Sequence, residues 1–114
     1  MILADILAAG GATLDGSTLD PVAPARGYAV GLALDTAVTL DASTATDAAL
    51  RAALAQVVAD YRPPYVGAWV DGGRIHLDPV AIVARRRAAL ALGKATRQLA
   101  VYDFATGESV GVSK

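Results

Sequence analysis

The chain of 114 residues contains no cysteine and no asparagine, and only 5% of its residues are aromatic. Without cysteine it cannot form a disulfide, a thiolate nucleophile or a cysteine-ligated metal site. Without asparagine it has no N-glycosylation sequon, and glycine and aspartate must form the turns. Since hydrophobic residues still make up 54% of the chain, we predict a core of short aliphatic side chains.

Long hydrophobic runs and a basic leader are also missing. The apolar N-terminal segment MILADILAAGG is interrupted by Asp5 and has no basic residue, and no run reaches the roughly 18–20 residues of a membrane span. We therefore expect a cytoplasmic protein without a membrane partner. The length predicts a single domain over 1–114, with an N-terminal segment and loop over 1–27 and the core over 28–112.

Acidic and basic residues are unevenly distributed along the chain. Residues 1–60 hold seven aspartates and two arginines, a net charge of −5, and residues 61–114 hold eight basic and four acidic residues, a net charge of +4. The basic excess lies mostly in Arg85, Arg86, Arg87, Lys94 and Arg97. Such a segment is typical of the solvated face of a helix, which we favour, or of a surface that contacts phosphates.

The first half of the chain predicts a short helix around Ile2 to Leu7 that ends at Gly10-Gly11, and then a loop over 15–27. Alternating hydrophobic residues predict a strand over 28–40, bent near Asp35-Thr36. A helix follows, beginning at Thr44 or Thr46 and ended by Pro63-Pro64. Its buried face is predicted from helical spacing and comprises Leu50, Leu54, Val57, Val58 and Tyr61.

The segment YVGAWVDGGRIHLDP, residues 65–79, predicts a β-hairpin that turns at Gly72-Gly73 or at Asp71-Gly72. Either turn gives the same division of side chains between two faces. The core face is predicted to hold Val66, Ala68, Val70, Ile75 and Leu77. The other face is predicted to hold Tyr65, Trp69, Asp71, Arg74, His76 and Asp78.

A second helix begins either at Asp78-Pro79 or near Arg85, and it ends at Gly93. The segments QLAVYDF and ESVGV then predict two final strands. From Tyr28 onward the order is β-α-β-β-α-β, which is the split βαβ, or ferredoxin-like, pattern. We therefore predict an α+β two-layer sandwich: an antiparallel sheet in the order 4-1-3-2, two helices on one face, an extra N-terminal segment and a short C-terminal strand.

In this layout the face of the sheet without helices has small residues on its central strands. Arg74 and His76 lie among them, with Trp69 on one edge and Tyr102 on the other, roughly 14 Å apart across the strands. We predict a trough formed by Trp69, Arg74, His76 and Tyr102. Its occupant is the N-terminal segment, a second copy of the chain, or a partner that is a protein or, less favoured, a nucleic acid.

The residues offer little for catalysis. His76 is the only imidazole, and Asp78, two residues further along the same strand, lies roughly 7 Å away. The sequence has no nucleophile elbow, P-loop or dinucleotide-binding glycine pattern. We therefore predict a protein without catalytic residues, metal ligands or cofactors.

The segments GAWVDGGRIHLD and ALALGKATRQLAVYDFATGES resemble a family of small proteins from bacteriophages and other bacterial mobile elements. The resemblance extends over most of 10–110. The matching positions are Trp69, Asp71, Gly72, Leu77, Asp78, Leu92, Gly93, Gln98, Ala100, Tyr102, Asp103, Gly107 and Glu108. Where the family has an acidic start to its second helix, this chain has three arginines, Arg85 to Arg87.

The resemblance implies an accessory protein of a mobile element that acts in the host cell, for example on a host factor or against a defence system. Together with the predicted trough, it favours protein–protein binding through the open sheet face. The alternative is nucleic-acid binding through the basic segment from Arg85 to Arg97.

Overall fold

The computed structural model describes residues 2–33 and 38–112. These ranges form three helices and one sheet of eight strands, and every strand pairing is antiparallel. In chain order the elements are α1 (Ile2–Ala9), β1 (Gly11–Asp15), β2 (Pro21–Val22), β3 (Tyr28–Gly31), β4 (Val38–Asp41), α2 (Asp47–Tyr61), β5 (Tyr65–Asp71), β6 (Arg74–Val83), α3 (Arg86–Ala95), β7 (Ala100–Asp103) and β8 (Glu108–Gly111). The predicted α+β class with an antiparallel sheet is confirmed.

Strand β6 organises the sheet because it is ten residues long and pairs with three other strands. Across the sheet the order is β2-β1-β5-β6-β3-β7-β8. One edge of β6 pairs with β5, and the other edge is shared, with β4 opposite residues 74–77 and β3 opposite residues 80–83. The strand predicted over 28–40 is therefore two strands along one edge. The predicted bend at Asp35-Thr36 lies outside the described residues.

Pro79 lies inside β6, and this excludes the helix start predicted at Asp78-Pro79. The carbonyl of Pro79 accepts the N–H of Leu32 at 2.8 Å, so its nitrogen faces the same side of the strand, between the ends of β3 and β4. A proline is tolerated there because the position needs no ladder donor. Helix α3 starts at Arg86, which confirms the later of the two predicted starts.

Strand β1 was not predicted, and it changes the position of β5. Gly11 lies opposite Trp69 and Leu14 opposite Val66, so β1 covers the edge of β5 that was expected to be free. The five residues of β1 include one glycine and one fully buried side chain, Leu14. Because the segment shows no marked alternation of hydrophobic and polar residues, its sequence does not indicate a strand. Trp69 consequently lies on an interior strand, and β8 in the same way covers the outer edge of β7.

The helices pack on one face of the sheet over two core clusters. The larger cluster joins α1, α2, β1, β5 and the first half of β6: Ile6, Leu14, Leu50, Leu54, Val57, Val66, Ala68, Ile75 and Leu77. The smaller cluster lies under α3: Val30, Ala89 and Val101, with Val83 at its border. The predicted core face of the hairpin is thereby confirmed, and the core extends into residues 1–27 through Ile6 and Leu14.

Helix α2 begins and ends as its capping residues require. The hydroxyl of Thr46 accepts the N–H of Ala49 at 3.1 Å, and Arg62 takes a left-handed conformation at φ 48° before Pro63. Tyr61, predicted on the buried face, is 49% exposed because it is the last residue of the helix. In the described parts of the chain, no helix has the length and hydrophobicity needed to cross a membrane.

Three turns of the same kind follow Asp15, Asp41 and Asp103. In each turn the carboxylate accepts the N–H of the residue two positions later, at 2.8 to 2.9 Å, and the carbonyl accepts the N–H four positions later, also at 2.8 to 2.9 Å. Two of the turns close the hairpins β1–β2 and β7–β8, and they end in left-handed Leu19 (φ 61°) and Gly107 (φ 72°). Aspartate therefore makes the side-chain to backbone hydrogen bonds that asparagine often makes in the turns of other proteins.

Candidate functional site

Trp69 and His76 form a stacked pair on the face of the sheet that the helices leave uncovered, called here the open face. The two residues are directly opposite each other on β5 and β6, and their ring centroids are 4.4 Å apart with planes 21° apart. Their neighbours Ala68, Ile75 and Leu77 are buried under the helices, and alternate residues of a strand point to opposite faces. Trp69 remains 46% exposed.

Glycines surround the indole where larger side chains would otherwise stand. Gly11 lies opposite Trp69 on β1, and Gly67 lies two residues earlier on the same face of β5. A Cβ at Gly67 would be 2.8 Å from Cγ2 of Val80, and a Cβ at Gly11 would be 2.8 Å from the carbonyl oxygen of Ala68. The ring therefore stands above its surroundings on these two sides. Gly11 was missed as part of the site because β1 was not predicted.

Arg74 lies at the hairpin end of the same face, among acidic groups. It is opposite Asp71 on β5 and opposite Asp41 on β4. Hydrogen bonds from the hydroxyl and then the backbone N–H of Ser43 lower the pKa of Asp41 below its ordinary value of 3.8, and the positive charge of Arg74 lowers it further. The predicted binding residue Arg74 thus belongs to a surface of mixed charge beside Trp69 and His76.

Tyr102 does not face Trp69, and the predicted trough is wrong. Tyr102 is opposite Ala29, which is opposite Ile82, whereas Trp69 is opposite His76. Ile82 is six positions after His76 on β6, which is roughly 20 Å along the strand, so the two aromatic side chains lie roughly 25 Å apart. The prediction placed the small residues of the first strand beside Arg74 and His76, but β4 pairs with 74–77 and β3 pairs further along, with 80–83.

The predicted basic segment is divided between the two ends of α3. Exposed side chains at its start are Arg85, Arg86 and Arg87. Lys94 is exposed in its last turn, roughly 12 Å from Arg86 at 1.5 Å per residue, and Arg97 is exposed beyond its end. The first turn of α3 has no acidic residue to offset the positive end of the helix dipole. The five side chains therefore do not form one cluster.

His76 has two acidic neighbours along the hairpin, but their positions differ. Asp71 is opposite Arg74 at the turn, and Asp78 is opposite Gly67, two residues beyond His76 on the same strand. Within residues 2–33 and 38–112, no group of three or more His, Asp or Glu side chains could hold a metal ion.

Comparison with protein-family models, curated proteins and solved structures finds no match to this chain. The resemblance to a family of mobile-element proteins therefore stays a prediction from the residues around Trp69 and Tyr102. The candidate site is defined by geometry: an exposed Trp–His stack among glycines on the open face of the sheet.

Proposed function

We propose that this protein is a non-enzymatic binding protein that contacts a protein partner through the surface formed by Gly11, Gly67, Trp69, Arg74 and His76, called here the Trp–His surface. We place it in the cytoplasm of a host cell, as an accessory protein of a bacteriophage or other mobile element. The sequence resemblance supports that biological setting, and the geometry of the open face supports the binding role.

The exposure of Trp69 is the observation that carries the proposal. This residue lies on a strand paired on both sides in the interior of the sheet, yet almost half of its surface is open to solvent. The N-terminal segment was one expected cover for the open face, but α1 packs on the opposite face, where Ile6 joins the core with Leu14 and Leu50. Tryptophan is among the residues enriched at protein–protein interfaces, which is why its exposure here supports a contact surface.

Burial of Trp69 by a partner would release about as much free energy as a binding hot spot contributes. A tryptophan side chain buries about 150–250 Å² when fully covered, so the 46% that is exposed corresponds to about 100 Å². At about 25 cal/mol per Å², its burial contributes about 2.5 kcal/mol. Truncations at interface hot spots cost about 2 kcal/mol or more, and tryptophan is enriched among them.

A protein is favoured over a nucleic acid at this surface because of its charges. Asp41 and Asp71 lie on either side of Arg74, and a phosphate chain would approach both carboxylates. A protein surface of mixed charge has no such penalty, since its own side chains can complement both signs.

We further infer that the central unit β3-α2-β5-β6-α3-β7 is a ferredoxin-like split βαβ arrangement, extended by β1 and β2 at one edge and by β8 at the other. The neighbour order β5-β6-β3-β7 and the packing of α2 and α3 on one face support this inference. Such a fold leaves one face of its sheet free for partners.

The proposal is tested by comparing Trp69→Ala with Tyr61→Ala, which removes an equally exposed aromatic from α2 on the other side of the molecule. Proteins from a bacterial lysate are captured on each variant and on the wild type. We expect a partner retained by the wild type and by Tyr61→Ala but lost from Trp69→Ala. Trp69 is the only tryptophan, so a blue shift of its emission with the purified partner locates the contact.

Light scattering over a range of concentrations shows whether that partner is a second copy of the chain. A dimer that dissociates on Trp69→Ala would make self-association the function of this surface. If all three proteins retain the same set of partners and have the same mass in solution, the Trp–His surface is not the binding site.

A further inference from the structure

Two chain segments that are far apart in the sequence bring four arginines together at the end of the sheet opposite to Trp69. Arg26 precedes β3 and Arg85 follows β6, and these strands pair up to Tyr28 and Val83. Gly27, at φ 103°, lies beside the end of β6, since a Cβ there would be at ordinary contact distance, 3.5 Å, from the carbonyl oxygen of Val83. Arg26 therefore lies at the same end of the sheet as Arg85, Arg86 and Arg87.

This end of the molecule carries a positive charge that few acidic groups offset. All four arginines are exposed, and the first turn of α3 has no acidic residue. The neighbouring acids are Asp103, which is 8% exposed and accepts the N–H of Ala105, and Glu108 opposite it on β8. Guanidinium groups bind phosphate oxygens through two parallel hydrogen bonds, so the surface is suited to a phosphate chain.

An aromatic pair lies on the open face near the same end of the sheet as Arg26. The N–H of Phe104 donates to the carbonyl of Gly27 at 3.0 Å, which fixes the pair next to Arg26. The rings of Tyr102 and Phe104 meet edge to face, with centroids 5.3 Å apart. Tyr102 is 41% exposed, and the residues opposite it on both neighbouring strands are small, Ala29 and Ser109. Its ring is therefore accessible to a stacking partner.

We propose that Arg26, Arg85, Arg86, Arg87 and Tyr102 form a binding site for single-stranded nucleic acid. The arginines at the rim hold consecutive phosphates, and an unpaired base stacks on Tyr102, as aromatic side chains do in proteins that bind single strands. Lys94 and Arg97 lie at the other end of α3 and take no part. This site is roughly 25 Å from Trp69, and its activity is independent of the proposed protein contact.

The test uses the full chain and a fluorescently labelled oligothymidine of about 15 nucleotides, a length within the site size of a small single-strand-binding domain, with anisotropy as the readout. Four phosphate contacts predict that log K falls with log salt at a slope of about −2.8, which is an affinity loss of roughly 50-fold between 50 and 200 mM salt. Loss of two contacts in the double variant Arg26→Gln, Arg85→Gln halves this slope to about −1.4.

Tyr102→Ala separates stacking from charge. We expect it to weaken binding about five-fold or more while leaving the salt slope unchanged, since it removes no charge. Lys94→Gln is the matched control for charge, and Tyr61→Ala is the control for the loss of an exposed aromatic; both should bind the oligonucleotide as the wild type does. Thermal unfolding of each variant shows that it is folded.

Several results would overturn the proposal. These are the absence of binding at 50 mM salt, binding by the double variant equal to that of the wild type, and a salt slope for Lys94→Gln as low as that of the double variant. Equal or tighter binding of a duplex of the same length would overturn the stacking role of Tyr102, and equal competition by poly-glutamate would show that the site takes any polyanion.

Discussion

Gly16 ties the turn after β1 to the segment between α2 and β5, and its replacement by alanine tests how closely these segments pack. Its N–H donates to the carbonyl of Pro64 at 2.8 Å, and the residue is buried. A Cβ at Gly16 would overlap the carbonyl oxygen of Pro63 and lie 2.9 Å from that of Pro64. Both obstacles are backbone atoms, so a rotamer change cannot relieve the overlap.

The magnitude follows from three opposing contributions. Overpacking costs about 1–3 kcal/mol, and a lost hydrogen bond costs about 0.5–1.5 kcal/mol. The smaller entropy of the unfolded chain returns about 0.4–1 kcal/mol, since Gly16 does not have a positive φ. We therefore expect Gly16→Ala to lower the free energy of unfolding by about 2–3 kcal/mol, which for 114 residues lowers Tm by roughly 10 °C.

Urea and thermal unfolding followed by circular dichroism measure this change, and Gly111→Ala is the matched control. Gly111 has no atom within 4 Å of the added Cβ and no positive φ, so its substitution should change the free energy of unfolding by no more than about 0.5 kcal/mol. If Gly16→Ala were as stable as Gly111→Ala, the close approach of β1 to the Pro63–Pro64 segment would be refuted.

Two further predictions concern the aspartate turns. Gly107→Ala should destabilise the fold by about 1 kcal/mol in urea unfolding, because Gly107 has φ 72° and an alanine is strained there; an unchanged midpoint would mean that the turn relaxes to a negative φ. The lowered pKa of Asp41 stabilises the fold above the ordinary value of 3.8, and this contribution is lost as the pH falls through the lower folded-state pKa. The free energy of unfolding of Asp41→Asn should therefore fall less steeply than that of the wild type between about pH 5 and pH 2, and parallel pH profiles would contradict the role of the Ser43 hydrogen bonds.

Local sequence signals determined several elements of this fold. Thr46, the spacing of Leu50, Leu54 and Val57, and the prolines after Arg62 are sufficient to define α2, because capping, periodicity and helix termination act within a few residues. The hairpin was predictable for the same reason. Gly72 and Gly73 both have positive φ, as a two-residue turn requires, and this turn fixes which side chains face the core.

The start of α3 was left open because local signals conflicted there. Asp78-Pro79 has the residue types of a helix start, and PVAIVA also has the β-branched residues of a strand. The pairing of residues 80–83 with β3 resolved the conflict. Residues 80–83 gain backbone hydrogen bonds by pairing with β3, about fifty positions earlier in the chain. The local preferences of Pro79 and its neighbours do not reveal this pairing.

The composition of the proposed binding surfaces was decided largely by the tertiary structure. The sequence showed that Trp69 and His76 share a face, since one hairpin holds both residues. It could not show that β1 would add Gly11 beside Trp69, that Tyr102 would pair with Ala29 on β3 far from Trp69, or that Arg26 and Arg85 would lie at the same end of the sheet. Register between strands that are distant in the chain depends on which pairing buries the most apolar surface over the whole sheet, and that sum is a property of the folded molecule.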